Sequence, residues 1–334
     1  MQASTLTLDA PDGVSLFVYR WLPEQSPKAV VQIAHGWAEH AARYGRVAEA
    51  LCREGYAVYA DDHRGHGRTA MTPADLGFFA ESDGWNKCVH DLWQLNQRIR
   101  TDHFGTPIVI LGHSLGSFMV QQFICDHGDA VIAAVLSGSN GRPPATAPLG
   151  LLVAHLERLR VGAHGKSPLL QRLFFGAFNK PFNPARTPFD WLSRDPAEVD
   201  MYIADPLCGF DSQVQVFIDI LQGLPPLSKS SRQACIPKTL PIYIFRGSAD
   251  PVGGNIDQLL TAYRAAGLQN VTYKLYPDGR HETLNEINRD EVTRDLIAWL
   301  DGVVANVQTS APEAARDGGS RAAVSQSIAS SAPR

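Results

Sequence analysis

Apolar and polar positions alternate twice near the start of the chain. Leu6 and Leu8 stand among polar neighbours, and Val14, Leu16 and Val18 repeat the pattern after Pro11-Asp12-Gly13. A period of two on either side of an Asp-Gly pair predicts a β-hairpin. From Val30 to Ala34 the pattern becomes a short, nearly continuous apolar run. A run without a polar face predicts a strand covered on both sides. Similar runs recur at 57–60, 108–111, 131–136, 240–245 and 271–276. Helical composition fills 41–53, 115–126, 256–266 and 292–304. After Trp85, the positions Val89, Leu92, Trp93 and Ile99 follow a helical period. Strands alternating with helices predict an α/β fold, with a mostly parallel sheet between two helical layers.

Residues 141–237 interrupt this rhythm. The stretch opens with Pro143, Pro144 and Pro148 and carries Phe174, Phe175, Phe178, Phe182, Phe189 and Trp191. It is too long for an ordinary loop, so it predicts a mainly helical insertion above the sheet. The expected division is a core of 1–140 and 238–304 with a cap of 141–237. The aromatics either form the insertion's own small core or line a channel for an apolar substrate. From 305 to 334 the composition shifts to Ala, Ser, Gly, Gln and Arg, which predicts a disordered tail.

Composition narrows the function classes. Thirty Lys+Arg against 34 Asp+Glu give a formal net charge of -4, which provides no basic footprint for nucleic acid. No apolar run reaches the roughly 18 residues of a membrane span. Met1 to Asp12 lacks a basic start followed by an apolar stretch, so no secretory signal is read and the expected location is cytoplasmic. The five cysteines are odd in number and contain no C-x-x-C pair. Reduced thiols are expected rather than a disulfide or zinc framework.

The strongest chemical signal is Gly112-His113-Ser114-Leu115-Gly116, between an apolar run and a helical segment. G-x-S-x-G in a strand-turn-helix setting predicts a nucleophile elbow. Gly112 and Gly116 let strand and helix approach, leaving the Ser114 hydroxyl at the sheet edge. The hydroxyl needs a base, and the chain order of such sites is Ser, acid, His. His281 follows the strand 271–276 and is the expected base. Asp250 follows the strand 240–245 and is the expected acid; Asp278, in an Asp-Gly turn, is its rival. The Leu115 N–H is one expected oxyanion donor. The second is the backbone N–H of Trp37, in the His35-Gly36-Trp37 turn after the strand 30–34.

These pieces, with Glu39-His40, Arg43-Tyr44, Asp62-His63-Arg64-Gly65-His66-Gly67 and Arg280-His281-Glu282, resemble the α/β-hydrolases of the monoacylglycerol lipase and lysophospholipase branch, the serine aminopeptidase-like group. The resemblance covers about residues 5–302, apart from most of the insertion. It implies an α/β-hydrolase fold with an inserted cap. It implies Ser114, Asp250 and His281 as the triad and Trp37 and Leu115 as the oxyanion hole. Glu39, His40 and Arg43 would support the oxyanion loop, as would His35, Gly36, Gly112 and Gly116. Thr69 stands where the family often has serine. The implied activity is hydrolysis of carboxylic esters, of the monoacylglycerol or lysophospholipid type, without cofactor or metal. The partner would be a small ester or an acyl lipid, with transient contact to lipid surfaces but no membrane span. An aminopeptidase, amidase or acyltransferase would use the same triad. A non-catalytic interaction protein fits poorly with a complete triad. The oligomeric state is not legible.

Overall fold

Eight strands form one sheet in the computed structural model, which describes residues 1–310. The strands are β1 (Gln2–Asp9), β2 (Ser15–Leu22), β3 (Ala29–Ala34), β4 (Tyr56–Asp61), β5 (Ile108–His113), β6 (Ala133–Ser137), β7 (Ile242–Gly247) and β8 (Val271–Tyr276). Their order across the sheet is β1-β2-β4-β3-β5-β6-β7-β8. The β1–β2 hairpin and the β2–β4 pair are antiparallel, and all other neighbours are parallel. The architecture is therefore the mostly parallel sheet that the alternating pattern predicts.

The continuous apolar runs have a simple cause. Successive side chains of a strand point to opposite faces, and here each face meets its own helical layer. Ile108 and Ile110 join one buried cluster, whereas Val109 and Leu111 join the other. Helices α2 (Gly84–Asp102), α3 (Leu115–His127) and α9 (Ile256–Ala265) cover the first face. Helices α1 (Gly45–Arg53) and α10 (Arg289–Ser310) cover the second. Helix α10 runs beyond the expected start of the tail at 305, because no Gly or Pro interrupts the chain between Val303 and Ser310. The rest of the expected tail lies outside the described residues.

Between β6 and β7 lie α4 (Ala147–Val161), α5 (Pro168–Phe175), α6 (Pro196–Ala204), α7 (Val214–Leu227) and α8 (Ser230–Gln233), with no long strand. Helix α7 is apolar on two faces. Val216, Ile220 and Leu227 join the cluster on the sheet, while Val214, Phe217, Ile218 and Leu221 join a cluster with Ala154 and Leu170 of the insertion. Phe174 and Phe175 pack on that second cluster, and Phe178, Phe182 and Phe189 pack around Trp191. The aromatic load thus forms a small core of its own, part of which faces Trp37. The five cysteines are free thiols. Among the described residues, no helix is long and apolar enough to cross a membrane.

Candidate active site

Ser114 sits between β5 and α3 with φ 49° and ψ −118°, a region that a side chain occupies only under constraint. The constraints are explicit. The Ser114 N–H donates to Ser137 O at 2.9 Å, and the Ser114 carbonyl accepts from the Ser117 N–H at 2.9 Å and the Ser117 hydroxyl at 2.6 Å. The flanking glycines are required by crowding. A Cβ on Gly116 would fall 2.2 Å from Ala34 O, and one on Gly112 2.4 Å from Gly116 O. The Ser114 side chain is half-buried at the C-terminal edge of the sheet. Leu115 is the first residue of α3, so its N–H has no acceptor within the helix.

The loops after β7 and β8 lie side by side. Ser248 N–H donates to Tyr276 O and Ala249 N–H to Gly279 O, each at 2.9 Å. This lacing brings Asp250 Oδ1 to 2.9 Å from His281 Nδ1, with both side chains buried. The Val252 N–H also donates to Asp250 Oδ1, at 2.8 Å. Burial opposes charge on both partners, yet each sustains the other. His281 is held above the ordinary histidine value because the Asp250 charge and hydrogen bond outweigh desolvation. Asp250 is held below the usual carboxylate value, as burial is outweighed by the His281 charge and hydrogen bond. Asp278 instead lies in a turn, where its N–H donates to the Ser248 hydroxyl oxygen at 2.8 Å.

The His35-Gly36-Trp37 turn closes over the elbow. A Cβ on Gly36 would lie 3.3 Å from Ser114 Cβ. His35 Nε2 accepts the His63 N–H at 2.9 Å, which leaves the proton on Nδ1 to donate to Gly36 O at 2.7 Å. Burial, reinforced by the neighbouring His63 and His66, keeps His35 neutral by holding its value well below the ordinary one. The peptide plane then aims the Trp37 N–H away from that carbonyl. Glu39 Oε1 accepts the Gly36 N–H at 2.6 Å and the Tyr44 hydroxyl at 2.9 Å. Arg43 joins this loop to the histidine loop. It donates to Glu39 Oε2 at 2.6 Å and to both Glu282 oxygens at 2.7 Å. Burial alone would raise the Glu282 carboxyl, but Arg43 holds it down at about 2. His40 points elsewhere, with Nε2 2.8 Å from Asp205 Oδ2 in the insertion.

Four groups at the site are not among the functional residues expected from the sequence. His113 packs against His281 with ring centroids 4.8 Å apart, and burial followed by the His281 charge pushes it down to about 4. Glu282 stood in the sequence only as part of a motif. Trp191 lies 5.1 Å from the His281 ring, and its carbonyl accepts the His281 N–H at 3.3 Å. Leu192 O accepts the Glu282 N–H at 2.8 Å. These two acceptors are backbone atoms, for which any side chain would serve. His40, Asp205 and Cys208 bring ligand-type atoms within 4.8 Å of one another. They make a poor cation site: imidazole and carboxylate already pair, and burial drives the Cys208 thiol far above its ordinary value.

The pattern of the family described as "Serine aminopeptidase, S33" matches residues 25–288. The chain belongs to that family. It is 32% identical over 294 residues to the monoacylglycerol lipase of Mycolicibacterium smegmatis, covering 86% of this chain and 93% of the relative. It is 26% identical to the human monoglyceride lipase, over 90% and 91% of the two chains. A thermostable carboxyl esterase from Bacillus coagulans, solved in complex with glycerol, superposes with a TM-score of 0.83 at 25% identity, over 91% of this chain and 99% of the esterase. The fold is that of the α/β-hydrolases, and the chain is a carboxylic ester hydrolase.

Proposed function

We propose that the chain hydrolyses esters carrying a long acyl chain, of the monoacylglycerol type, through Ser114, His281 and Asp250. His281 Nε2 takes the Ser114 proton as the oxygen attacks the ester carbonyl. The Leu115 and Trp37 N–H groups stabilise the tetrahedral oxyanion. Protonated His281 gives its proton to the departing alcohol, leaving an acyl-enzyme. Water, deprotonated by the same imidazole, adds to the acyl carbon, and the serine leaves with the proton returned. Asp250 fixes the Nδ1–H tautomer and offsets the imidazolium charge.

The observation that carries the reading is the apolar wall beside the triad. The half-buried Trp37 ring lies 4.9 Å from Phe175 and 5.7 Å from Phe174, both half-buried themselves, and Trp191 flanks His281. In this reading residues 141–237 act as a cap that receives the acyl chain. Each buried methylene contributes about 0.8 kcal/mol. Leu149, Leu152, Leu156 and Leu159 also form an exposed stripe on α4, continued by Leu169 and Leu173 on α5. Arg160, Lys166 and Arg172 on the same segment are exposed. An apolar stripe with basic flanks suits a lipid surface.

The peptidase alternative needs a free carboxylate for a substrate amine. Each acidic candidate of the insertion is already engaged: Glu157 by Arg160 and Ser167, Asp190 by Thr187, Asp195 by Arg289, Glu198 by Arg46 and Asp200 by Arg186. The test is kcat/KM across acetyl to palmitoyl esters, beside monoacylglycerol, lysophospholipid and amino-acid amides. The rate rises with chain length and then levels, and a fluorophosphonate adduct maps to Ser114 and is lost in Ser114→Ala. A maximum at acetyl removes the long-chain reading, and a preference for amides with a free amine removes the ester reading.

A further inference from the structure

Ala38 follows Trp37 and has φ 53°. This is the left-handed region, disfavoured for a residue with a Cβ, so something must hold it. Its N–H donates to His66 Nε2 at 3.2 Å. The His66 Nδ1 proton is used on Arg64 O at 2.9 Å, and burial keeps the ring neutral by lowering it to about 3. That anchor belongs to the core. The Ala38 carbonyl is held from the insertion, by the Tyr202 hydroxyl at 2.8 Å and the Gly209 N–H at 2.9 Å.

Both insertion groups are themselves fixed. Tyr202, on α6, is buried, with the Arg43 guanidinium 4.9 Å from its ring centroid. The turn leading to Gly209 is organised by Asp205, whose carboxylate accepts the Leu207 N–H at 2.8 Å and pairs with His40. His40 therefore supports the oxyanion loop indirectly, by ordering the turn that grips Ala38. Gly209 has φ 64°, and a Cβ there would fall 3.1 Å from Phe189 and 3.2 Å from the Tyr202 ring, so a side chain at this position is both strained and crowded.

We infer that Tyr202 is a positioning residue for the oxyanion hole: its hydroxyl, with the Gly209 N–H, clamps the Ala38 carbonyl and so fixes the Trp37 N–H against Ser114. The insertion then completes the catalytic apparatus besides covering the substrate. The inference rests on the proposed roles of Ser114 and Trp37. Its signature is specific. The Trp37 N–H matters most when the oxyanion forms, so loosening the clamp lowers kcat and leaves KM nearly unchanged.

The test is Tyr202→Phe, which keeps the ring over Arg43 and deletes only the hydroxyl. The expected result is a fall in kcat of about tenfold with KM within about twofold. Affinity for an alkyl trifluoromethyl ketone, whose Ser114 adduct carries an oxyanion, weakens in parallel. Adding Ala38→Gly restores much of the loss, because glycine adopts positive φ without the clamp; a packing role for Tyr202 gives no such rescue. Asp205→Asn, which loosens the Gly209 arm, shows the same kcat and inhibitor signature to a smaller degree and serves if Tyr202→Phe folds poorly. Unchanged kcat in both variants, or a fall in kcat without weaker inhibition or without rescue by Ala38→Gly, overturns the clamp. Absence of a Ser114 adduct in the wild-type enzyme instead overturns the reading beneath it.

Discussion

Arg43→Met removes the cation that joins the loop of Gly36 and Glu39 to the histidine loop. The Arg43, Glu39 and Glu282 side chains are only 12%, 4% and 6% exposed, so solvent screens little. Breaking a buried pair by deleting one partner costs about 3–5 kcal/mol, because the other charge remains buried. The depressed Glu282 value gives a second measure. A fall from 4.5 to about 2 corresponds to about 3 kcal/mol, at about 1.4 kcal/mol for each pH unit. The two agree, and about 4 kcal/mol lowers Tm by about 6 °C in a chain of this size. The sign with pH is fixed as well. A carboxyl lowered in the folded state contributes stability above its unfolded value and loses it as pH falls through the folded one. In the wild type that loss lies between pH 4.5 and about 2. Without Arg43, burial pushes the same carboxyl upward, so it takes up a proton at mildly acidic pH and part of the deficit closes. Thermal unfolding of both proteins at about pH 8 and about pH 5 measures this. A Tm difference below about 3 °C, or one equally large at both pH values, refutes the reasoning.

Other expectations follow from the same geometry. Because Asp250 raises His281 above its ordinary value, the acid limb of wild-type kcat/KM bends above pH 6.5. Asp250→Asn lowers kcat/KM by about 10⁴ and moves the residual limb to lower pH, because burial is then opposed only by the Glu282 and Glu39 charges; a limb that stays in place refutes the assignment of the acid. Leu152→Glu with Leu156→Glu slows hydrolysis of a long-chain monoacylglycerol in anionic vesicles and spares a soluble butyrate ester. An equal effect on both substrates removes the surface-contact reading.

The legible parts of this molecule were those in which local chemistry demands a residue type. The elbow announces itself because only glycine fits at Gly112 and Gly116. The strands read as unbroken apolar runs because both faces are covered. Asp250 and His281 stand out in the sequence because each follows a strand-like run, and the structure puts their side chains 2.9 Å apart. The remaining site chemistry depends on contacts at long range. Arg43 and Glu282 are 239 positions apart, and no periodicity links them. Trp191 and Leu192 act through carbonyl oxygens that every residue possesses. Helix α7 falls wholly inside the expected insertion of 141–237, since composition shows that a stretch is apolar but not that two faces of its helix serve different layers. Ala38 has an ordinary name and an extraordinary backbone, which sequence does not record.

The segment from Asp190 to Arg194 is sewn to the histidine loop along its length. The Trp191 and Leu192 carbonyls accept from the His281 and Glu282 N–H groups, Arg280 donates to Asp190 O and Ser193 O, and Arg194 pairs with Glu286. The seam makes 190–194 and the histidine loop one mechanical unit. Displacing that part of the insertion breaks backbone hydrogen bonds of His281 and Glu282 themselves, so loosening it and losing the His281 geometry go together.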